Sequence, residues 1–552
     1  MTFGEPIAPQ KLTTQIFPEL RFDAGGKLVC SIAPALSSST GHKLSRRQRA
    51  NFKAALYWLQ GYQPPAQASN LDRVRGLLEA FHHLSQLSAW QAANDLLHIP
   101  VPPSQLEQAD QPGRSLPLHE QLEVWGYYQE LTDLYSTLLG KRDKVSDCVC
   151  CERLGAMHTY RGRLIEAKDF QQRALELADQ LNDPIAKARA FLGLADIYIR
   201  LDQFELGIAQ AQAALNLARQ QDDQHLLADC LDIISSAYSD SYFPSYKPKL
   251  ALRYIQEGLQ LAQDVEDTTL QCRFLNRMGS IYSSMGKART ALKHHQGALA
   301  LAEATGNVRE QWANLHNLGV IHFLLLKNQE QGEALLLASL QVARRMQNLS
   351  CEAQSLGSRA VVLSSAKGST QASQANLQHL IELTQQLGDP YLEWQTLLTL
   401  APLLMRQKQF EQAKLYWDRA EALARSHRFR SVLFKVADLS NTSYLFSSLG
   451  DWRKGLRYGK KALAIARSLK NKQEQISALL VIVYAYWQGN QRLWALLILL
   501  RYLPQAAQLA LQNESTRYAL LTGVQVIISS ILTALQKLGS FFQVQPRNQK
   551  SR

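Results

Sequence analysis

Hydrophobic positions along this 552-residue chain recur at helical spacing and in pairs. In "LNRMGSIYSSMGKARTALKHHQGALALAEATGN" (275–307), Met278, Gly279, Ile281 and Tyr282 share one helical face, and Gly286 ends the helix. A second helix is predicted after it, with Ala291, His295, Ala298 and Leu299 along its inner side. Small residues at 279, 291 and 298 let the two backbones come close, while Tyr282 fills the gap between turns. Such a pair cannot bury its apolar stripe alone and must stack on copies of itself. Copies are present. The stretch "ALALAEATGN" at Ala298 has counterparts starting at Ala174, Ala214, Gly258, Ser339, Leu380, Ala420 and Ala462. Taken in order, the starts are separated by 40, 44, 40, 41, 41, 40 and 42 residues, a period that chance does not hold.

The order Leu/Met-Gly-x-x-Tyr, then Gly, Ala and Ala, resembles the tetratricopeptide repeat, whose usual period is about 34 residues. Residues 193–215 carry it as Ala195, Tyr198, Gly207 and Ala214, and residues 153–175 as Gly155, Gly162, Ala167 and Ala174. The longer period looks like the roughly 40-residue variant with extended helices, similar to the arrays of cyanobacterial multi-repeat proteins. The resemblance implies an all-α, right-handed superhelical solenoid of antiparallel helix pairs. Four regions are expected: a poorly ordered extension (1–49), degenerate helical repeats (50–145), an array of about eight to nine repeats (146–515), and an apolar helix with a basic tail (516–552). A short hairpin around Gly25-Gly26 fits within the first. The prolines of "SDSYFPSYKPK" (239–249) force a loop inside the third repeat, and the sixth, 356–384, has a Ser/Gly-rich connection.

Composition adds a partner class and removes several chemistries. The net charge of +13 favours acidic partners or anionic surfaces. Seven cysteines follow no disulfide or zinc-ribbon spacing, so a reducing, cytoplasmic setting is expected, and the N-terminus shows no secretory signal pattern. "CVCC" (148–151) has no second cluster to complete a tetrahedral metal site, and its cysteines read as small core residues. No G-x-x-x-x-G-K-[ST] phosphate loop, H-E-x-x-H or G-x-S-x-G occurs. No enzyme, cofactor or metal is expected.

Binding is the better destination. In such a solenoid the first helices line a concave groove. Counting from each Gly/Ala anchor, the positions three to six places earlier and one place later face it. This selects Arg189, Asp196, Asp229, Asp232, Ser236, Arg273, Asn276, Arg277, Ser280, His316, Asn317, Gln354 and Ser358. The family resemblance implies that Asn317, just before a Leu-Gly pair, bonds the backbone of an extended peptide. Exchanging Asn317 or Arg273 is expected to weaken binding without changing stability.

Charge is uneven. Residues 425–472 hold twelve Lys/Arg against Asp438 and Asp451. Arg453, Lys454, Arg457, Lys460, Lys461 and Arg467 recur at helical spacing opposite Ala462 and Ile465, as a solvated face or an anionic docking surface. Nucleic acid ranks last as its occupant, because no stacking platform interleaves with the charges. Finally, 516–544 has no charge between Arg517 and Lys537, about the minimum for a bilayer span. It reads as a buried terminal helix packed on 493–503, a membrane-associated helix, or a partner-docking helix. The expected function is a non-catalytic scaffold that binds a partner polypeptide to assemble or regulate a complex. The alternatives are a peripheral-membrane biogenesis factor anchored at its C-terminus, and a regulatory subunit acting with a separate NTPase.

Overall fold

The computed structural model describes residues 19–22, 28–31, 45–65, 68–101, 115–201, 203–239, 246–364, 370–387, 390–426, 436–468 and 472–512. Strands β1 (Glu19–Phe22) and β2 (Leu28–Ser31) pair antiparallel on either side of Gly25-Gly26, as the sequence suggested. Helices α1 (Arg46–Gln60), α2 (Asn70–Gln86) and α3 (Trp90–Leu97) follow. A two-residue ladder, β3 (Pro100–Val101) with β4 (Leu116–Pro117), leads into α4 (Leu118–Val124) and α5 (Tyr128–Leu138). Leu77, Leu84, Leu97, Leu118, Leu122, Trp125 and Leu138 close a core among these helices.

From there the chain is a run of antiparallel pairs. These are α6 (Lys144–Tyr160) with α7 (Leu164–Leu181), α8 (Pro184–Arg200) with α9 (Phe204–Gln221), and α10 (Gln224–Ser239) with α11 (Pro248–Asp264). Next come α12 (Thr268–Ser284) with α13 (Ala288–Ala304), α14 (Val308–Leu324) with α15 (Gln329–Arg345), and α16 (Leu349–Ser364) with α17 (Thr370–Leu387). After α18 (Pro390–Arg406) and α19 (Phe410–Ser426), the last pairs are α20 (Val436–Ser448) with α21 (Trp452–Ser468), and α22 (Lys472–Gln488) with α23 (Arg492–Gln512). From α6 to α14, each first helix packs on its own second helix and on the first helix of the next pair. The fold is an all-α solenoid of tetratricopeptide-like helix pairs. Two compact units divide it: Met1–Thr399 with Ala420–Arg430, and Leu400–Arg419 with Ser431–Arg552.

The recurring stretch has a physical explanation. Its first and fifth positions are small and buried, as at Ala174 and Ala178, Ala214 and Ala218, and Ala298 and Ala302. One helical turn apart, they form a smooth strip that the next pair can approach closely. Its ninth position takes the left-handed conformation that stops a helix, with φ between 52° and 65° at Asn182, Asp222, Glu266, Gly306 and Gln347. The tenth caps the following helix. Asp183, Asp223, Asp267, Asn307 and Asn348 each accept a hydrogen bond from a backbone N–H two or three residues on. The insertion in the third repeat falls between α10 and α11, where the prolines place it.

Candidate partner-binding cavity

First helices α6, α8, α10 and α12 turn one face towards a shared cavity of about 730 Å³. Glu152, Arg153 and Tyr160 of α6, Arg189, Leu192 and Asp196 of α8, Asp229 and Asp232 of α10, and Arg273 of α12 line it. Glu120 of α4, Gln171 of α7 and the capping Asp223 complete the wall. Six carboxylates (Glu120, Glu152, Asp196, Asp223, Asp229, Asp232) therefore meet three guanidinium groups (Arg153, Arg189, Arg273) in a chain that is basic as a whole.

Five of the residues expected in the groove, Arg189, Asp196, Asp229, Asp232 and Arg273, line this cavity. The remainder lie on α10, α12, α14 and α16, and most hold one another. Arg273 Nη2 donates to Asp229 Oδ1 at 2.7 Å, and Arg277 donates to both oxygens of Asp232 at 2.7 and 3.1 Å. Asn317 Nδ2 donates to Asn276 Oδ1 at 3.1 Å, whose own Nδ2 donates to Glu310 at 3.0 Å. His316 Nε2 sits 2.8 Å from Ser358 Oγ. Ser280 bonds the carbonyl of Asn276, Ser236 gives its carbonyl to Ser239, and Gln354 is exposed. Each inter-helix bond joins neighbouring repeats. The expectation that Asn317 and Arg273 can be exchanged without touching stability is therefore corrected: both are ties between repeats.

Burial raises the pKa of Asp229 despite Arg273 beside it. Burial also works against the charge on Asp232, but Arg277 and Arg273 outweigh it, and its pKa is lowered. Glu152 is different. Burial pushes its carboxyl up to about 7, with Arg189 and Arg153 too weak to hold it down and Asp183 adding to the rise. Cys148 Sγ approaches its carboxyl at a long 3.9 Å.

Glu152, Glu120 and Gln171 escaped the sequence reading. Glu152 stands three places before Gly155, so the anchor rule applied to the first repeat would have found it. Gln171 lies on a second helix, where the rule does not look. It is buried because Gly155 and Gly193 leave room for it: an added Cβ at either would lie 2.5 Å from the Gln171 side chain. Its Nε2 donates to the Glu152 carbonyl at 3.0 Å, while its Oε1 has no protein partner.

The three clustered cysteines are core residues. Cys148, Cys150 and Cys151 are buried, and burial lifts their thiols to about 12, 12 and 11. His295 is likewise interior, packed against Gly279 and 3.0 Å from Asn314, with burial lowering its pKa to about 4. Among the described residues no group of His, Cys, Asp or Glu side chains is placed to hold a metal ion.

The first unit also closes on itself. Asn70 at the start of α2 donates to the Met346 carbonyl at 2.9 Å, and its backbone N–H meets Gln347 at 2.6 Å. Asn348 donates to the Val124 carbonyl at 3.0 Å and packs on Gly126, whose φ of +82° follows α4. These contacts span 224 to 277 residues of sequence, whereas repeats in a solenoid otherwise touch only their neighbours.

In the second unit, α21 exposes Arg453, Arg457, Lys460, Lys461 and Arg467 and buries Ala462, with Ile465 partly covered. Lys454, half-buried, lies over the Phe446 ring, and Lys461 over Tyr458, so aromatic rings do interleave with the charges but carry cations already. Between α21, α22 and α23 lies a second cavity of about 730 Å³, lined by Lys460, Arg467 and Arg501 together with Leu479, Ile482 and Trp494. On α23, Leu493 is 70 % exposed and Leu500 69 %. The segment 516–544 lies outside the described residues. Among those described, no helix is long and apolar enough to cross a membrane.

No family's sequence profile matches the chain. Regulatory protein RapG of Bacillus subtilis (strain 168) is 24% identical over 147 residues, which is 26% of this chain and 39% of that protein. The chain thus matches about two-fifths of the length of that relative. Among solved structures, a Rap protein complexed with competence and sporulation factor superposes with a TM-score of 0.44 at 14% identity, over 70% of this chain and 98% of the other. The apo form of the quorum sensor NprR from B. thuringiensis superposes with a TM-score of 0.39 at 16% identity, over 64% and 99%.

Proposed function

We propose that this chain is a non-catalytic binding protein whose first-helix cavity takes a peptide segment of another polypeptide, to assemble or regulate a complex. The observation that carries this is the cavity itself: about 730 Å³, walled by four successive first helices and lined by charged side chains of both signs. That volume falls in the range of about 300–1,000 Å³ usual for ligand sites. The partial similarity to a protein described as regulatory supports a role in regulation. Asp196 and Arg189 are the residues to change, because Asp196 is tied only within its own helix, to Arg200 at 3.0 Å, and Arg189 is exposed. Affinity purification from source cells should lose its partner about tenfold in an Asp196→Lys, Arg189→Glu double variant whose Tm is unchanged. Full recovery by that variant would move the site elsewhere.

A second reading concerns the second unit: docking of its basic face on an anionic membrane surface. The exposed leucines of α23, one of which, Leu497, lines the same cavity as Lys460 and Arg467, favour it. Each basic residue near such a surface contributes on the order of 1 kcal/mol. Flotation with phosphatidylglycerol vesicles should be lost when Arg453, Lys454, Lys460 and Lys461 are all changed to Glu; flotation insensitive to these changes and to salt contradicts it.

A further inference from the structure

Second helices keep their outer face mostly polar; α23 does not. Each has a small buried anchor, such as Ala291 in α13, Gly455 in α21 and Ala495 in α23. The positions two before, two after and five after that anchor face outward. They are Arg289, Lys293 and Gln296 in α13, and Arg453, Arg457 and Lys460 in α21, all exposed. Helices α7, α15 and α19 place one large apolar side chain on that face, Ile165, Leu337 and Leu415. Helix α23 places three: Leu493, Leu497 and Leu500, exposed by 70 %, 49 % and 69 %. At steps of four and three they form one apolar stripe. The adjoining stripe, Trp494, Leu497, Ile498 and Arg501, lines the cavity that α23 shares with α21 and α22. Lys460 and Leu497 belong to both the outer face and the cavity lining, so the cavity meets that face between α21 and α23. Arg467 Nη2 donates to Tyr502 Oη at 3.3 Å, and the Arg501 guanidinium lies over the same ring. No carboxylate lines the cavity, and among the described residues none pairs with Lys460, Arg467 or Arg501.

Resting on the membrane reading above, we propose that α23 is the bilayer-inserting element of the second unit. Its leucine stripe enters the hydrocarbon, while Lys460, Arg467 and Arg501 hold the phosphate of one anionic phospholipid at the cavity. The juxtaposition of the two outer stripes sets the occupant. Three exposed leucines call for an apolar cover, and the cations of α21 on the equivalent face call for an anionic one. An anionic bilayer offers both together, headgroups above hydrocarbon. A second copy of this chain fits worse, because a two-fold interface through α23 brings the cations of this face towards their own copies. Trp494, 55 % exposed, follows the first leucine of the stripe and lines the cavity, a place that suits an amphipathic ring at the level of the headgroups. The two arginines supply the preference for phosphate, which a guanidinium can grip through parallel N–H groups.

The test uses the full-length chain and vesicles of phosphatidylglycerol mixed with phosphatidylcholine, one batch carrying bromine on its acyl chains. Bromine quenches a tryptophan that reaches the hydrocarbon, so part of the emission should be lost on binding, and Trp494→Phe should remove that part. Leu493→Gln, Leu497→Gln and Leu500→Gln together should weaken flotation by about tenfold or more with Tm unchanged, since each leucine forgoes its transfer into an apolar medium. Arg467→Gln with Arg501→Gln should lower the preference for phosphatidylglycerol over phosphatidylcholine several-fold, while the bound protein keeps its Trp494 quenching. Flotation that survives the three leucine changes, with no quenching that depends on Trp494, would overturn the insertion and leave docking through the basic face of α21 standing. A Tm that falls in the three-leucine variant without vesicles would show that protein already covers the stripe, and the insertion would be wrong. Absence of flotation by the wild-type chain would sink the membrane reading, and the insertion with it.

Discussion

Asn182 and Asp183 show how few residues a repeat boundary needs. The first adopts φ 52° and stops α7; the second accepts bonds from the N–H groups of Ile185 and Ala186 at 3.0 Å and starts α8. Glu152 shows the opposite, a residue whose folded environment works against its charge. Its ordinary value of 4.5 is raised to about 7 in the folded chain. The native state thus binds that proton more tightly than the unfolded state. The stability it contributes is fully present below pH 4.5 and is lost as pH rises through about 7. Glu152→Gln should therefore stabilise the protein by on the order of 1–2 kcal/mol at pH 8 and by little at pH 4. Thermal melts at the two pH values measure this, and equal shifts at both would show that burial is not the cause.

The first helices were the part of the fold most legible in the sequence. Gly279 and Gly319 mark close approaches, and the spacing from such anchors led to Asp196, Asp229, Asp232 and Arg273 because one helical face repeats at fixed offsets. What that spacing hides is pairing. Nothing in a linear pattern says that Arg277 reaches 45 residues back to Asp232, or that Asn317 finds Asn276. Gln171 was hidden for a related reason, since it becomes a cavity residue only where Gly155 and Gly193 converge from two helices. The Asp232–Arg277 tie makes a prediction for α10 and α12. Arg277→Ala leaves a carboxylate with a 13 % exposed side chain unpaired and should cost about 2 kcal/mol at pH 7, discounted for the partial exposure of the arginine. Because the pKa of Asp232 is lowered in the folded state, that contribution is present above the ordinary carboxylate value of 3.8 and is lost as pH falls below it through the lowered folded value. The Tm gap between variant and wild type should narrow towards pH 3; a gap independent of pH would assign the loss to packing of the arginine stem.

Within the first unit, the return of Asn70 and Val124 to the Met346–Asn348 turn is the feature least visible in the sequence. A solenoid written as a string of repeats carries no sign of which distant turn its leading helices meet. The consequence is that the charged face of α6 to α12 belongs to a unit tied between its leading helices and the Met346–Asn348 turn, so the cavity is held in a fixed frame, and such preorganisation lowers the entropic cost of any binding there. The central claim is that a partner segment occupies this cavity. Its most direct test places the photo-crosslinking residue p-benzoylphenylalanine at Leu192, inside the cavity, or at Ile165, 42 % exposed on α7 and not part of its lining. Irradiation in source cells followed by mass spectrometry should give one discrete partner peptide joined at position 192 and none at 165. A partner joined at 165 with nothing at 192 would contradict the account.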